Sequence, residues 1–251
     1  MKNNRVLFFV ILTAITIFMV VQPAHAQPLP GIDLQIQPTD EPQQVVDSVK
    51  LLVLLSLLSL VPAFILMMTS FTRIIIVLSL LRSALGINQT PPNQVLIGLA
   101  LFLTFFIMSP VYEQVNEQAV QPYLANELAQ EEAWERATAP VREFMFNQTR
   151  EKDLQLFVDI SDTPNPEYEE DIPLSVLMPS FVISELKTAF QMGFLIYVPF
   201  LVIDMVVAST LMSMGMFMLP PVIISLPFKI LLFVMVDGWH LIIKSLVESF
   251  G

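Results

Sequence analysis

The sequence has no cysteine among its 251 residues, which removes disulfides and thiolate metal sites from consideration. Basic residues are scarce: 12 Lys and Arg stand against 23 Asp and Glu, a formal net charge of −11. With so few cations there is no basic stripe to neutralise phosphates, and nucleic acid is excluded as a partner. No spacing of His, Asp and Glu suits a metal ion, and there is neither a glycine-rich phosphate loop nor a G-x-S-x-G elbow. The chain therefore reads as a non-enzyme without a cofactor.

What is abundant is apolar surface. Hydrophobic residues make up 55% of the chain and mean hydropathy is +0.68, a membrane-class composition. Lys2 and Arg5 precede an apolar run from Val6 to Val21, and Ala24-His25-Ala26 follows. This is the order of a secretory signal peptide, predicted over residues 1–26, with an uncleaved anchor as the competing reading. Cleavage would leave 10 basic residues against 23 acidic ones, a net charge of −13.

The Pro- and Gln-rich stretch that follows predicts an extracytoplasmic tail over residues 27–50. Leu51–Thr72 is 22 residues without a charge, long enough to cross about 30 Å of hydrocarbon as a helix. Arg73 interrupts, Ile74–Leu81 resumes the apolar run, and Pro62 is a candidate kink. Gly86–Asn93 predicts a turn, and Val95–Met108 a second helix that ends near Ser109-Pro110. Residues 51–110 thus read as one apolar hairpin. Residues 112–185 carry 16 acids and 4 bases. They predict helices over Tyr112–Gln130 and Glu131–Asn147, a loop over Asp159–Pro173, and a solvated segment spanning 111–188. Hydrophobicity returns at Ala189–Leu211 and Val222–Ile243, a second hairpin within 189–251. The fold class expected is all-α. Four spans after a cleaved signal put the arginine turn inside, and the acidic segment and C-terminus outside. Hydropathy alone equally allows hairpins packed against other subunits.

Four ionisable residues interrupt the apolar segments: Arg73, Asp204, Lys229 and Asp237. A single arginine in hydrocarbon costs at least ~2.5–3.5 kcal/mol on insertion scales, so each requires a partner. Structural pairing within or between subunits is preferred over a proton relay, with Arg73–Asp204 and Lys229–Asp237 as candidates. Lys229 and Asp237, eight residues apart, are too far for a direct bond, which favours an inter-subunit partner. His240, three residues past Asp237, invites a relay but reads more simply as an interfacial residue. Met212, Met214, Met216 and Met218 alternate with Ser213, Gly215 and Phe217 ahead of Pro220-Pro221. Flexible thioethers can seal an opening and still deform around a passing chain, and a hydrophobic constriction can gate by excluding water. Buried packing between two helices is the simpler reading of the spacing alone.

Several of these segments resemble one family. Pro62-Ala63, Met68 to Arg73, Leu81-Arg82-Ser83-Ala84-Leu85-Gly86, and Gln89 with Pro91-Pro92-Asn93-Gln94 are similar to the first block of the FliP family. These are export-gate subunits of the flagellar secretion apparatus, with counterparts in virulence-type systems. Pro179 to Phe190, including Glu185 and Lys187, resembles a second block, and the Met-rich turn a third. The resemblance implies a homo-oligomer, a pentamer, that joins FliQ- and FliR-type subunits and further export-apparatus proteins in a closed conical pore. It implies passage of unfolded flagellar subunits across the bacterial inner membrane, with residues 111–188 periplasmic and the hairpins set largely above the bilayer plane. It also implies that the turn at Met212–Met218 is a gasket, although Phe217 stands where the family often continues methionines. A non-conducting scaffold and a small-solute transporter remain the alternatives.

Overall fold

The structure, a computed structural model, describes residues 42–87, 89–161 and 171–251. The signal-peptide expectation over 1–26, most of the 27–50 tail, and most of the loop expected over Asp159–Pro173 lie outside the described residues. The described residues are helical and contain no strand, so the protein is all-α. A first unit ends at Leu57 and a second runs from Leu58 to Gly251.

Helix α1, Pro42–Met67, begins inside the stretch expected to be a tail and carries Pro62 in its interior. Apart from half-buried Leu51 and Leu66, its residues from Val49 to Met67 are exposed and mostly apolar. The chain breaks at Met68–Ser70, just ahead of Arg73. There the Thr69 hydroxyl donates to the Leu66 carbonyl (2.8 Å) and accepts the Phe71 amide (3.4 Å), the local competition by which a short hydroxyl ends a helix.

Helix α2, Phe71–Ala84, is the centre of the second unit. Its buried residues Arg73, Ile74, Val77, Leu78, Leu81 and Ala84 recur every three or four positions along one broad face. It ends where Gly86 adopts φ +78°, with Ile87 N–H bonded to the Arg82 carbonyl and Gly86 N–H to that of Ser83, the paired bonds of a Schellman cap.

Helix α3, Asn93–Val115, passes through Pro110 instead of stopping there, which corrects the expected end near Ser109-Pro110. A proline inside a helix loses one backbone hydrogen bond, but here Met108 and Val111 pack in a core that offsets it. A π-helical turn at Asn116–Val120 leads into α4, Gln121–Leu124. Pro122 lacks the amide that would close a normal turn, and the widened turn beside it accommodates the ring.

Helices α5, Gln130–Gln148, and α6, Glu151–Ile160, carry the acidic segment. Helix α7 then runs unbroken for 40 residues, Leu174–Ser213, so position 188/189 falls inside one helix. Helices α8, Pro221–Met235, and α9, Gly238–Glu248, meet at 64°. The apolar stretch Val222–Ile243, one of the four expected spans, is thus divided between two helices. The break falls at Asp237, which adopts the left-handed conformation (φ +51°) that Asp tolerates better than most residues.

Three apolar clusters hold the second unit. Met108, Phe144, Met145, Val158, Ile172, Val176, Leu177 and Phe181 join the acidic helices to α3 and to the start of α7. Ile74, Val77, Leu78, Leu96, Ala100, Ala189 and Leu246 join α2 to α3, α7 and α9. Leu81, Ala84, Leu85, Phe200 and Phe233 close the far end of α2. Gly193 lets α7 lie against Leu80, whose side chain occupies the space a Cβ would take. Among the described residues, three helical stretches are long and apolar enough to cross a membrane: Val49–Met67, Asn93–Leu124 and Leu174–Ser213. The bent α8–α9 pair makes a fourth if it counts as one span. The protein is a membrane protein by these helices.

Candidate functional site

Arg73 and Glu185 form the most enclosed ion pair among the described residues. Both side chains are essentially inaccessible, at 3% and 0%. Arg73 Nε donates to Glu185 Oε2 (3.0 Å), and Nη2 donates to Glu185 Oε1 and to Gln148 Oε1 (2.9 Å). Nη1 donates to the Ser249 carbonyl (2.7 Å) and to its hydroxyl (3.0 Å). Five donor bonds match the five N–H groups of a guanidinium, whose flat fork suits a bidentate carboxylate. The Arg73 guanidinium also lies 3.8 Å from the centroid of the Phe250 ring, which stacks on Phe144. Gln148 Nε2 donates to the Phe250 carbonyl (3.1 Å). One arginine thus gathers α2, α5, α7 and the residues after α9. A second polar group adjoins it: Ser184 donates to Asp153 (2.6 Å) and accepts the Arg150 amide (3.0 Å), while Arg150 pairs with Asp153. Burial raises the Asp153 pKa. The hydrogen bonds from Ser184 and Arg150, with the charges of Arg150 and Lys187, outweigh it and hold that carboxyl below its ordinary range.

The candidate pair Arg73–Asp204 is corrected, and Lys229 finds its partner within the chain, not in the inter-subunit contact expected for it and Asp237. Lys229 of α8 pairs with Asp204 of α7 (2.6 Å) and donates to the Ala84 carbonyl (3.3 Å). Ser225, one turn before Lys229, donates to the other Asp204 oxygen. Lys229 is buried, whereas the Asp204 side chain is 31% exposed. Asp237 is not a buried charge: it sits exposed in the α8–α9 turn, and His240 is exposed a turn later. The reason is geometric. Lys229 and Asp237 lie on either side of a helix break, while antiparallel α7 and α8 bring 204 and 229 level.

Arg82 acts locally, donating to the Pro91 carbonyl (3.2 Å) and to Asn93 Oδ1 (2.6 Å), so it clamps the turn in which Pro91 and Pro92 stand. Lys187 is exposed. Sequence reasoning named Glu185 only as part of a motif and missed its role as the Arg73 partner. The available signal was that Glu185 is the last acid before the long apolar stretch of α7.

The Met-rich turn contrasts with both pairs. Met214, Phe217 and Met218 are 68%, 77% and 97% exposed, and Met212 and Met216 are also exposed. The turn is nevertheless built, not loose. Met216 N–H bonds to the Leu211 carbonyl (3.0 Å) and Gly215 N–H to the Met212 carbonyl (3.0 Å), with Gly215 at φ +77°, a Schellman cap ending α7. Pro221 then opens α8. The Lys229–Asp204 bond ties together the two helices that present this turn. No cluster of metal-ligating side chains occurs among the described residues.

Known proteins resemble this chain over most of its length. The FliP family matches residues 54–246. The flagellar biosynthetic protein FliP of Bacillus subtilis (strain 168) is 57% identical over 217 residues, 86% of this chain and 98% of that protein. The protein of the same name from Pectobacterium carotovorum subsp. carotovorum is 57% identical over 222 residues, 88% of this chain and 86% of its own length. That of Aquifex aeolicus (strain VF5) is 48% identical over 239 residues, 94% and 98% of the two chains. With the family matched over residues 54–246 and these relatives 48–57% identical over most of both chains, the chain belongs to the FliP family.

Proposed function

We propose that this chain is a pore subunit of the flagellar protein export gate, passing unfolded flagellar subunits across the bacterial inner membrane. Membership in a family whose relatives are named flagellar biosynthetic proteins supports the setting. The observation that carries the mechanism is the ordered but uncovered Met-rich turn. Large apolar side chains fixed on a capped helix end and left exposed call for a covering surface. Copies arranged around an axis would cover one another's turns and leave a deformable seal of thioethers and the Phe217 ring. The sequence holds no nucleotide site, so the driving force would come from associated subunits of the FliQ and FliR type and from further export-apparatus proteins. In this reading the oligomer is a pentamer forming a conical pore, residues 111–188 are periplasmic, and residues 1–26 are removed as a signal peptide.

Deletion of Met214–Met218 tests the seal. Measured together in cells, ion leakage across the inner membrane with assembly intact supports a lumenal gate. A tight membrane with normal secretion of flagellar subunits removes that role and favours a non-conducting scaffold.

A further inference from the structure

Away from the charge pairs and the Met-rich turn, a groove of about 780 Å³ lies between the π-helical turn with α4 and the first half of α5. One wall is Ala119, Val120, Tyr123 and Leu124, and the other is built on Ala129, Ala133 and Ala137 at successive helical turns. Large apolar groups stand at its edges: Trp134 is 71% exposed and Leu124 69%. Alanines at this spacing hollow the surface, and the aromatic edges offer the anchoring contacts that bind a partner's side chain.

The position of the groove argues against lipid as its occupant. Asn93–Leu124 is 32 residues long, about 48 Å of helix. Hydrocarbon accounts for about 30 Å of that. The end carrying Glu113 and Glu117 therefore extends past the apolar layer. The surrounding charge selects among polypeptides. From residue 112 to 146 there are seven acids and two arginines. Arg136 is paired with Glu132, and Arg142 donates to the Ile172 carbonyl. Glu131 lines the groove and Glu135 follows it one turn later. A second copy meeting it face to face would oppose carboxylate to carboxylate, which disfavours a two-fold pair through this groove.

We propose that this groove docks an amphipathic helix of another protein, with an apolar stripe that fills the alanine-lined hollow and Lys or Arg beside it to meet Glu131 and Glu135. Acidic rims of this kind set partner choice and association rate more than total affinity.

The test uses the full chain in zwitterionic nanodiscs with Trp239→Phe, which leaves Trp134 as the only tryptophan. The probe is a tryptophan-free leucine–lysine helical peptide, and the control is the same peptide with glutamate for lysine. The expected result is a saturable blue shift of Trp134 emission with the lysine peptide alone. The double variant Glu131→Gln/Glu135→Gln, at exposed positions that leave the fold intact, weakens binding about tenfold, and added salt does the same. Ala133→Phe fills the hollow and abolishes the shift while helicity is retained. Equal binding of the glutamate peptide overturns the proposal, as does binding unchanged in the glutamine variant. Trp134 already blue-shifted and cross-linking to a second copy replaces the partner with self-association. Quenching of Trp134 by brominated lipid overturns the proposal in favour of the bilayer.

Discussion

The two ends of α7 solve opposite problems. Near its start, Glu185 is fully enclosed, its charge is met by Arg73, and the surrounding donors and acceptors come from three other segments of the same chain. At its far end, Met214, Phe217 and Met218 are largely uncovered by the described residues. Asp204, between the two, is paired with Lys229 yet a third exposed. The buried residues of α7 lie almost wholly at or before Gly193, and its later part is paired only at Asp204 among the described residues. The closed end is finished by the chain itself, and the open end is finished by whatever assembles on it.

The largest expected effect breaks the closed end. Glu185→Ala or Arg73→Ala strands a desolvated charge and costs about 3–5 kcal/mol, measured by denaturant unfolding of the solubilised chain. Replacing both, as Arg73→Met with Glu185→Met, recovers part of that loss, because no charge is then left unpaired. Equal losses in the single and double variants would mean that the carboxylate is not what satisfies Arg73. Lys229→Met comes next, at about 1–2 kcal/mol, since the Asp204 it leaves unpaired reaches water and can be rehydrated. If this variant matched Arg73→Ala, the contrast along α7 would be wrong.

Gly215→Ala costs about 1 kcal/mol from backbone strain alone, because an added Cβ meets no atom within 4 Å. Thermal unfolding should show that drop together with a disturbed seal in the leakage assay. A smaller, pH-dependent effect belongs to Asp153, whose pKa is lowered in the folded protein. Its contribution is fully present above the unfolded carboxyl pKa of about 3.9 and is lost as pH falls through the lower folded value. An acid titration of stability should show this limb, and Asp153→Asn should flatten it. Serine at Met214, Met216 and Met218 together should change the stability of the single chain least, within about 0.5 kcal/mol, because these side chains are exposed. The same variant should leak ions, which separates sealing from folding.

The helical class, the broken run at Arg73, the turn at Gly86–Asn93 and the Met-rich turn were legible from hydropathy, glycine and proline. The helix through Pro110 was not, because the proline rule weighs local cost and omits the packing of Met108 and Val111. The break at Asp237 was missed because an apolar run hides a single residue's turn to positive φ. That the family is FliP followed from motifs in order, and the comparisons bear it out.

The sequence by itself determined that this is an all-helical, apolar, cysteine-free chain whose few embedded charges need partners. Only the tertiary structure decided which partners. Arg73 reaches Glu185 across 112 positions and Lys229 reaches Asp204 across 25. Sequence spacing orders residues along one helix, whereas charge pairing depends on which helices lie side by side and at what height. That height is set by the packing of Ile74, Val77 and Leu81 on α2, by Gly193 against Leu80, and by the capped turn that folds α8 back along α7.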